Sequence, residues 1–243
     1  MANLLRTAKS GNDWGPSELF EFQAAITFFV ADEVLNNLEA TSMVHDNNYK
    51  LLHYMDLAMD PVPDQESAVV DFAVHLLTLL GFVPRERMLR TRTDIPLVIC
   101  GEGRHATTDV CIVEADDILL LVQEDKRHKE TKDPEPQLIA EAIAAFLSNN
   151  TRRTHVLGQN PISAKTIAGI TLKGSSPIFY KIPVTTELAE SVALGLCPAV
   201  PTVVYAHLPD IPRPARRLSE GMKPLDNRAS ILSCYEAFKR FVD

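Results

Sequence analysis

No run of apolar residues in this chain approaches the roughly 18 needed to cross a bilayer, so no membrane span is expected. The opening MANLLRTAKSGNDWG lacks the apolar core of a signal peptide and has no transit-peptide character. The expectation is an intracellular protein of the cytoplasm or nucleus. Cysteine is scarce. Cys100, Cys111, Cys197 and Cys234 stand far apart with no paired spacing, and read as reduced, mostly buried thiols. The seven histidines include no i, i+4 pair, which argues against a histidine-rich zinc site. Positive charge is in deficit as well: the net charge is −8. Proteins that grip duplex nucleic acid chiefly through its phosphates are usually basic. The balance counts against tight, sequence-independent binding, although an enzyme with a local basic track remains open. No aromatic residues interleave the basic ones, so nothing suggests a stacking platform for single-stranded bases. Internal repeats and low-complexity tracts are absent.

What is present is a chain of 243 residues, 46% hydrophobic, enough for one large domain or a domain with a modest appendage. Residues 1–16 read as frayed and mobile. Ser17 caps a helix expected to run to about Leu38, with Glu18 and Glu21 in its first turn. A further helix is expected at Tyr49–Met59, closed by Asp60-Pro61-Val62-Pro63. Asp64 then caps a broadly apolar helix over 65–80, with Glu66 in the first turn and Gly81 at its C′ position. Arg85 to Cys100 reads as extended and edged by Pro96, followed by a turn at 101–103. Two strands come next, then a helix over 134–149 ended by Asn149-Asn150. Strands at Thr166–Leu172 and Ile178–Val184, a helix capped by Thr185, a strand at Thr202–Ala206 and a helix at Ala229–Val242 complete the chain. The expected organisation is a core of 64–184, an N-terminal helical extension (1–63) packed on it, and a C-terminal extension (185–243) of the same domain. The central strands are apolar on both faces, which implies an α/β fold with a mixed central sheet flanked by helices.

The informative stretch runs from Thr107 to Phe146, TTDVCIVEADDILLLVQEDKRHKETKDPEPQLIAEAIAAF. It reads as strand, tight turn, strand, charged loop and amphipathic helix. Asp109 stands in apolar surroundings, and the run Ile118 to Val122 ends in Glu124-Asp125-Lys126. Such groups at the end of a buried strand are paired or hold a metal. With a turn centred on Ala115-Asp116, Asp109 faces Val122, and Val122, Glu124 and Lys126 share its face. The β-carbons of Asp109 and Glu124 then lie on the order of 5–8 Å apart, suited to one shared cation. A three-residue loop would put the two carboxylates on opposite faces, so a shared cation requires an even loop here or a compensating bulge.

These residues resemble the PD-(D/E)XK nuclease superfamily: an acid on a first helix, strands carrying an Asp and a Glu-x-Lys, and a helix opening with Gln. The resemblance covers about residues 64–184. It implies a restriction-endonuclease-like α-β-β-β-α-β core. It matches Asp109 to the motif aspartate, Glu124 to the acid of (D/E)XK and Lys126 to its lysine. Asp125 takes the variable position whose carbonyl often helps hold the metal. Glu66 fits the first-helix acid, though it reads equally as a favourable first-turn residue. Gln137 fits the glutamine some branches carry. Thr108 replaces the name-giving proline, and Glu141 stands where the exonuclease branch has a tyrosine. Gln137 and Glu141 also read as no more than a polar helix face.

The implied activity is Mg²⁺- or Mn²⁺-dependent hydrolysis of phosphodiesters, in DNA rather than RNA. Asp109 and Glu124 would hold the cation, Asp125 and Glu66 would be further ligands, and Lys126 would act on the attacking water. Arg85, Arg87, Arg90 and Arg92 precede the motif, and the alternating Arg87, Arg90 and Arg92 could line a phosphate track. Lys126, Arg127, Lys129 and Lys132 follow the motif, and Arg152-Arg153, Arg213, Arg216 and Arg217 are further basic groups; such charge runs usually read as solvated surface. A non-catalytic protein that keeps the nuclease fold for binding, or a plain α/β scaffold, are the rival readings. Nothing in the sequence sets the oligomeric state, a homodimer included.

Overall fold

The structure, a computed structural model, describes residues 9–15, 24–28, 46–60, 68–124 and 133–242, with only the backbone described for 24–28. In chain order the elements are β1 (Ala24–Phe28), α1 (Asp46–Met59), α2 (Ala68–Leu79), β2 (Arg87–Ile99), β3 (Glu102–Glu114) and β4 (Asp117–Glu124). They continue with α3 (Pro134–His155), β5 (Ala164–Lys173), β6 (Ser176–Thr185), α4 (Thr186–Leu194), β7 (Thr202–His207), the single turn α5 (Arg217–Glu220) and α6 (Leu225–Phe238). The fold is α/β. Seven strands form one mixed sheet in the order β1-β7-β6-β5-β4-β3-β2. β1 with β7 and β4 with β5 pair in parallel, and the other neighbours are antiparallel. None of the described helices is long and apolar enough to cross a membrane.

Both faces of the sheet are covered, as its two-sided apolar strands require. On one face, Val110, Ile112, Leu120, Val122, Ala168 and Ile170 pack against α1, α2 and α6. On the other, Cys111, Val113, Ile118, Leu121 and Ile167 pack against α3. Local signals set many of the boundaries. Gly81 takes φ +76°, and Phe82 N–H reaches back to the Leu77 carbonyl at 3.0 Å, the closing bonds of α2. The Thr185 hydroxyl accepts from Leu188 N–H at 3.1 Å and opens α4. Cys100-Gly101 and Ala115-Asp116 have positive φ throughout, the geometry of two-residue hairpin turns. Pro96 lies in β2, which is the edge strand, where a missing N–H is tolerated.

Several expectations are corrected. Ala24–Phe28 is a strand inside the span read as the helix Ser17–Leu38, paired with Thr202–Ala206. The rest of that span lies outside the described residues, as does Asp64. Residues 9–15 are packed, not frayed. Trp14 is 2% exposed, Ser10 Oγ donates to the His105 carbonyl at 2.6 Å, and Asn12 Oδ1 accepts from Thr107 N–H at 2.7 Å. α3 does not end at Asn149-Asn150 but runs to His155. Those asparagines serve the neighbouring chain instead. The buried Asn149 amide bonds both the N–H (2.8 Å) and the carbonyl (3.0 Å) of Ile118, and Asn150 bonds both backbone groups of Ile162.

The most consequential correction concerns register. The turn at Ala115-Asp116 has two residues, as expected, but the β3–β4 ladder shifts between Ile112 and Val113. Val113 pairs with Ile118 and Ile112 with Leu120, so Leu119 is an extra residue, a β-bulge. Beyond it Val110 pairs with Val122, which sets Asp109 opposite Gln123 instead of Val122.

The close seating of the N-terminal turn is testable. A Cβ on Gly11 would lie 2.5 Å from the Ala106 Cβ and 3.2 Å from the Ala140 Cβ, neither of which can rotate away. Gly11→Ala is expected to lower stability by about 1–3 kcal/mol, the usual range for overpacking, as read from urea denaturation.

Candidate metal centre

Three departures from regular structure converge on Asp109. The first is the Leu119 bulge. The second is in the β2–β3 ladder: Thr91 pairs with Val110 and Thr93 with Thr108, but the intervening Arg92–Asp109 pair is missing, and Arg92 has φ +50°. A left-handed arginine inside a strand is uncommon and marks a place worth reading for function. The third is Thr107, whose N–H is taken by Asn12 and whose carbonyl accepts from Gln137 Nε2 at 3.3 Å.

Asp109 itself is partly buried. Its Oδ2 accepts from the Gln123 amide at 2.9 Å and from the Glu124 backbone N–H at 2.9 Å. The sequence-matched pair therefore does meet, though through the Glu124 main chain. Strand alternation sets Asp109, Gln123 and Leu121 toward α3, and Glu124 with Val122 toward the opposite face. The expectation that Asp109 and Glu124 share a face is overturned by the one-residue bulge.

Above Asp109 lies Glu141 on α3, which is 0% exposed. Its Oε1 accepts from Gln137 Nε2 at 3.2 Å. Burial pushes the Glu141 carboxyl well above its ordinary range, and the negative charge of Asp109 adds to the shift; the Gln137 amide and the Thr108 hydroxyl offset it in part. Thr108, also buried, has its hydroxyl 3.0 Å from the Val110 carbonyl and 3.4 Å from the Val122 carbonyl, two acceptors for its one proton. At the start of α3, Asp133 accepts from Glu135 N–H at 3.2 Å, and the buried Tyr180 donates to Glu135 Oε1 at 2.7 Å. Burial raises the Tyr180 hydroxyl further, so it remains a donor.

Asp109, Gln137 and the Glu124 backbone are thus brought to one place, whereas Glu66, Asp125 and Lys126 lie outside the described residues. Among the described residues no three of His, Cys, Asp and Glu form a ready metal cluster. Sequence reasoning did not single out Gln123; it read Thr108 only as standing in place of the motif proline and Glu141 as part of a polar helix face, whereas both are buried here. A signal for Glu141 existed: it is the one acid inside the otherwise apolar run Leu138 to Leu147. Two arginines of the suggested track, and others among the basic groups, are engaged within the chain. Arg87 contacts Glu114 at 2.9 Å and Arg90 contacts Asp116 at 3.0 Å. Arg213 joins Glu220 and Asp226, both at 2.7 Å, and Arg217 reaches the Pro209 carbonyl.

Glu141 gives a pH signature. A carboxyl with a raised folded-state value holds its proton in the folded protein after the unfolded chain has released it. Stability is then complete below the unfolded value, about 4.3, and falls as pH rises from there toward the folded value. In chelator, the wild-type melting temperature is expected to fall between pH 5 and 8 more steeply than that of Glu141→Gln; parallel curves would refute the assignment.

Compared with protein-family models and with curated proteins, the chain finds no match in either.

Proposed function

We propose that the protein is a divalent-metal-dependent nuclease that hydrolyses phosphodiesters, with DNA the favoured substrate. The observation that carries this reading is the Asp109 carboxylate held against the end of β4 at the Glu124 N–H, where two strand ladders break. The order α2-β2-β3-β4-α3-β5 supports it, since it is the order of the restriction-endonuclease-like core that the motif resembles. The residues present suit a hard cation. Asp109 offers a carboxylate, the Gln123 side chain bonds to it, and one buried oxygen on each of Gln123 and Glu141 has no partner among the described residues.

In this reading Asp109 would hold the Mg²⁺ or Mn²⁺, and Glu124, whose side chain turns to the opposite face while its N–H holds Asp109, would join Asp125 and Glu66 as the ligands the resemblance implies. When bound, such an ion supplies a more acidic water and neutralises charge on the phosphate. The chain's own groups do the remaining work. Lys126 orients the attacking water or offsets developing charge. Gln137, tied to the Thr107 carbonyl and to Glu141, steadies the strand that presents Asp109. Tyr180 and Glu135 fix the start of α3 against the sheet.

A second reading, a nuclease fold kept for binding alone, is favoured by the net charge of −8 and by the pairing of Arg87 and Arg90 with chain acids. One assay separates the two: cleavage of supercoiled DNA, single-stranded DNA and RNA with Mg²⁺ or Mn²⁺. Asp109→Asn, Glu124→Gln and Lys126→Ala are each expected to lower turnover on the order of 10²-fold or more. Lys126→Arg should not restore it, because a planar guanidinium does not replace a compact ammonium. Cleavage that survives all three changes would refute the site. Metal binding without cleavage of any substrate would favour the second reading.

A further inference from the structure

We infer that Gln123 and Glu141 are oxygen ligands of the cation at Asp109, which places that cation between the sheet and α3. The inference rests on the metal-dependent reading but concerns residues outside the sequence motif. Gln123 is 4% exposed, and its Oε1 has no hydrogen-bond partner among the described residues. The amide cannot be turned to cure this. Its other end faces Asp109 Oδ2 at 2.9 Å, and an ionised carboxylate only accepts, so the NH₂ has to point that way. Glu141 is fully buried, and its Oε2 has no hydrogen-bond partner among the described residues, the Gln137 amide being engaged with Oε1 and the Thr107 carbonyl and the nearby Thr108 hydroxyl lying within reach of the Val110 and Val122 carbonyls. Buried polar atoms without partners are rare in native proteins, and each calls for an explanation such as an ion or water. Here two such oxygens accompany one carboxylate.

The chemistry of the set is specific. One amide carbonyl and two carboxylates are hard oxygen donors, the kind taken by Mg²⁺, Mn²⁺ or Ca²⁺. Position agrees as well. Strand alternation turns Asp109 and Gln123 to the face that α3 covers, and Glu141 stands on that helix near enough for the Asp109 charge to act on it. The Leu119 bulge brings Gln123 opposite Asp109; without it Val122 would stand there. The bulge that separates the two motif acids across the sheet thus assembles this second set.

The test is Mn²⁺ binding to the full chain, followed by calorimetry and by loss of the free-ion paramagnetic resonance signal. Glu141→Gln and Gln123→Leu are each expected to weaken binding at least about 10-fold, as much as loss of a ligand-supporting residue commonly does. Gln123→Glu, which keeps an oxygen at that place, should retain it. Folding of each variant is checked by its melting temperature in chelator, and binding by the Mn²⁺-induced rise in that temperature. Binding lost in Asp109→Asn but at wild-type strength in Glu141→Gln and Gln123→Leu overturns this inference and leaves the nuclease reading standing; a buried water then fills the place. Binding weakened in all three, with no nucleic acid cleaved, overturns the nuclease reading and leaves this inference in place. No Mn²⁺ binding by the wild type overturns both.

Discussion

A long helix can lie close on a sheet only where the side chains between them are small. The 22 residues of α3 meet that condition through Ala140, Ala142, Ala144 and Ala145, with Ala106 and Gly11 on the facing side. At Gly169 the space a Cβ would take is filled by Leu138 and Ile182, whose methyls come within 3.0–3.2 Å of that position. Packing at this density contributes dispersion energy that a looser contact forfeits. It also dictates chemistry. Gln137 and Glu141 are carried to the sheet surface and have nowhere to go but beside Thr107 and Asp109. The contact that stabilises the fold is the one that strips water from Glu141, so stability and site share a single cause.

Elements announced by local chemistry were legible in the residues: the α2 stop at Gly81, the two-residue turn at Ala115-Asp116, the Thr185 cap, and the succession of strands and helices from α2 to β6. What was not legible depends on distant partners or on indifferent patterns. Ala24–Phe28 became a strand because β7, nearly the whole chain away, offers it a parallel edge. The Leu119 bulge lies in an unbroken apolar run between two covered faces, where every register buries hydrophobic side chains, so alternation carries no information. Asn149 looked like a helix end because its other use, bonding both backbone groups of Ile118, exists only after folding. At the site, Asp109 was found from its setting, whereas Gln123 required the register and Glu141 required the depth of α3.

Charge on this molecule is arranged in local cancellation. Arg87, Arg90 and Arg213 each meet acids of the same chain, and Lys223 bridges Asp56 and Asp60 of the α1 end. Exposed pairs of this kind contribute about 0–1 kcal/mol each, less in salt. Their larger effect is to flatten the surface potential. A polyanion then finds few unmatched cations among these groups.

The edge strand β2 carries a consequence for how copies of the protein meet. A sheet edge is a template on which another chain can add as a further strand, the first step toward fibres. Along β2 an incoming strand would find a missing N–H at Pro96, a left-handed kink at Arg92, and guanidinium groups on Arg87, Arg90 and Arg92. A second copy approaching edge to edge would bring the same cations against them. The irregularity that frames Asp109 on the inner side thus doubles, on the outer side, as protection against growth of the sheet by strand addition.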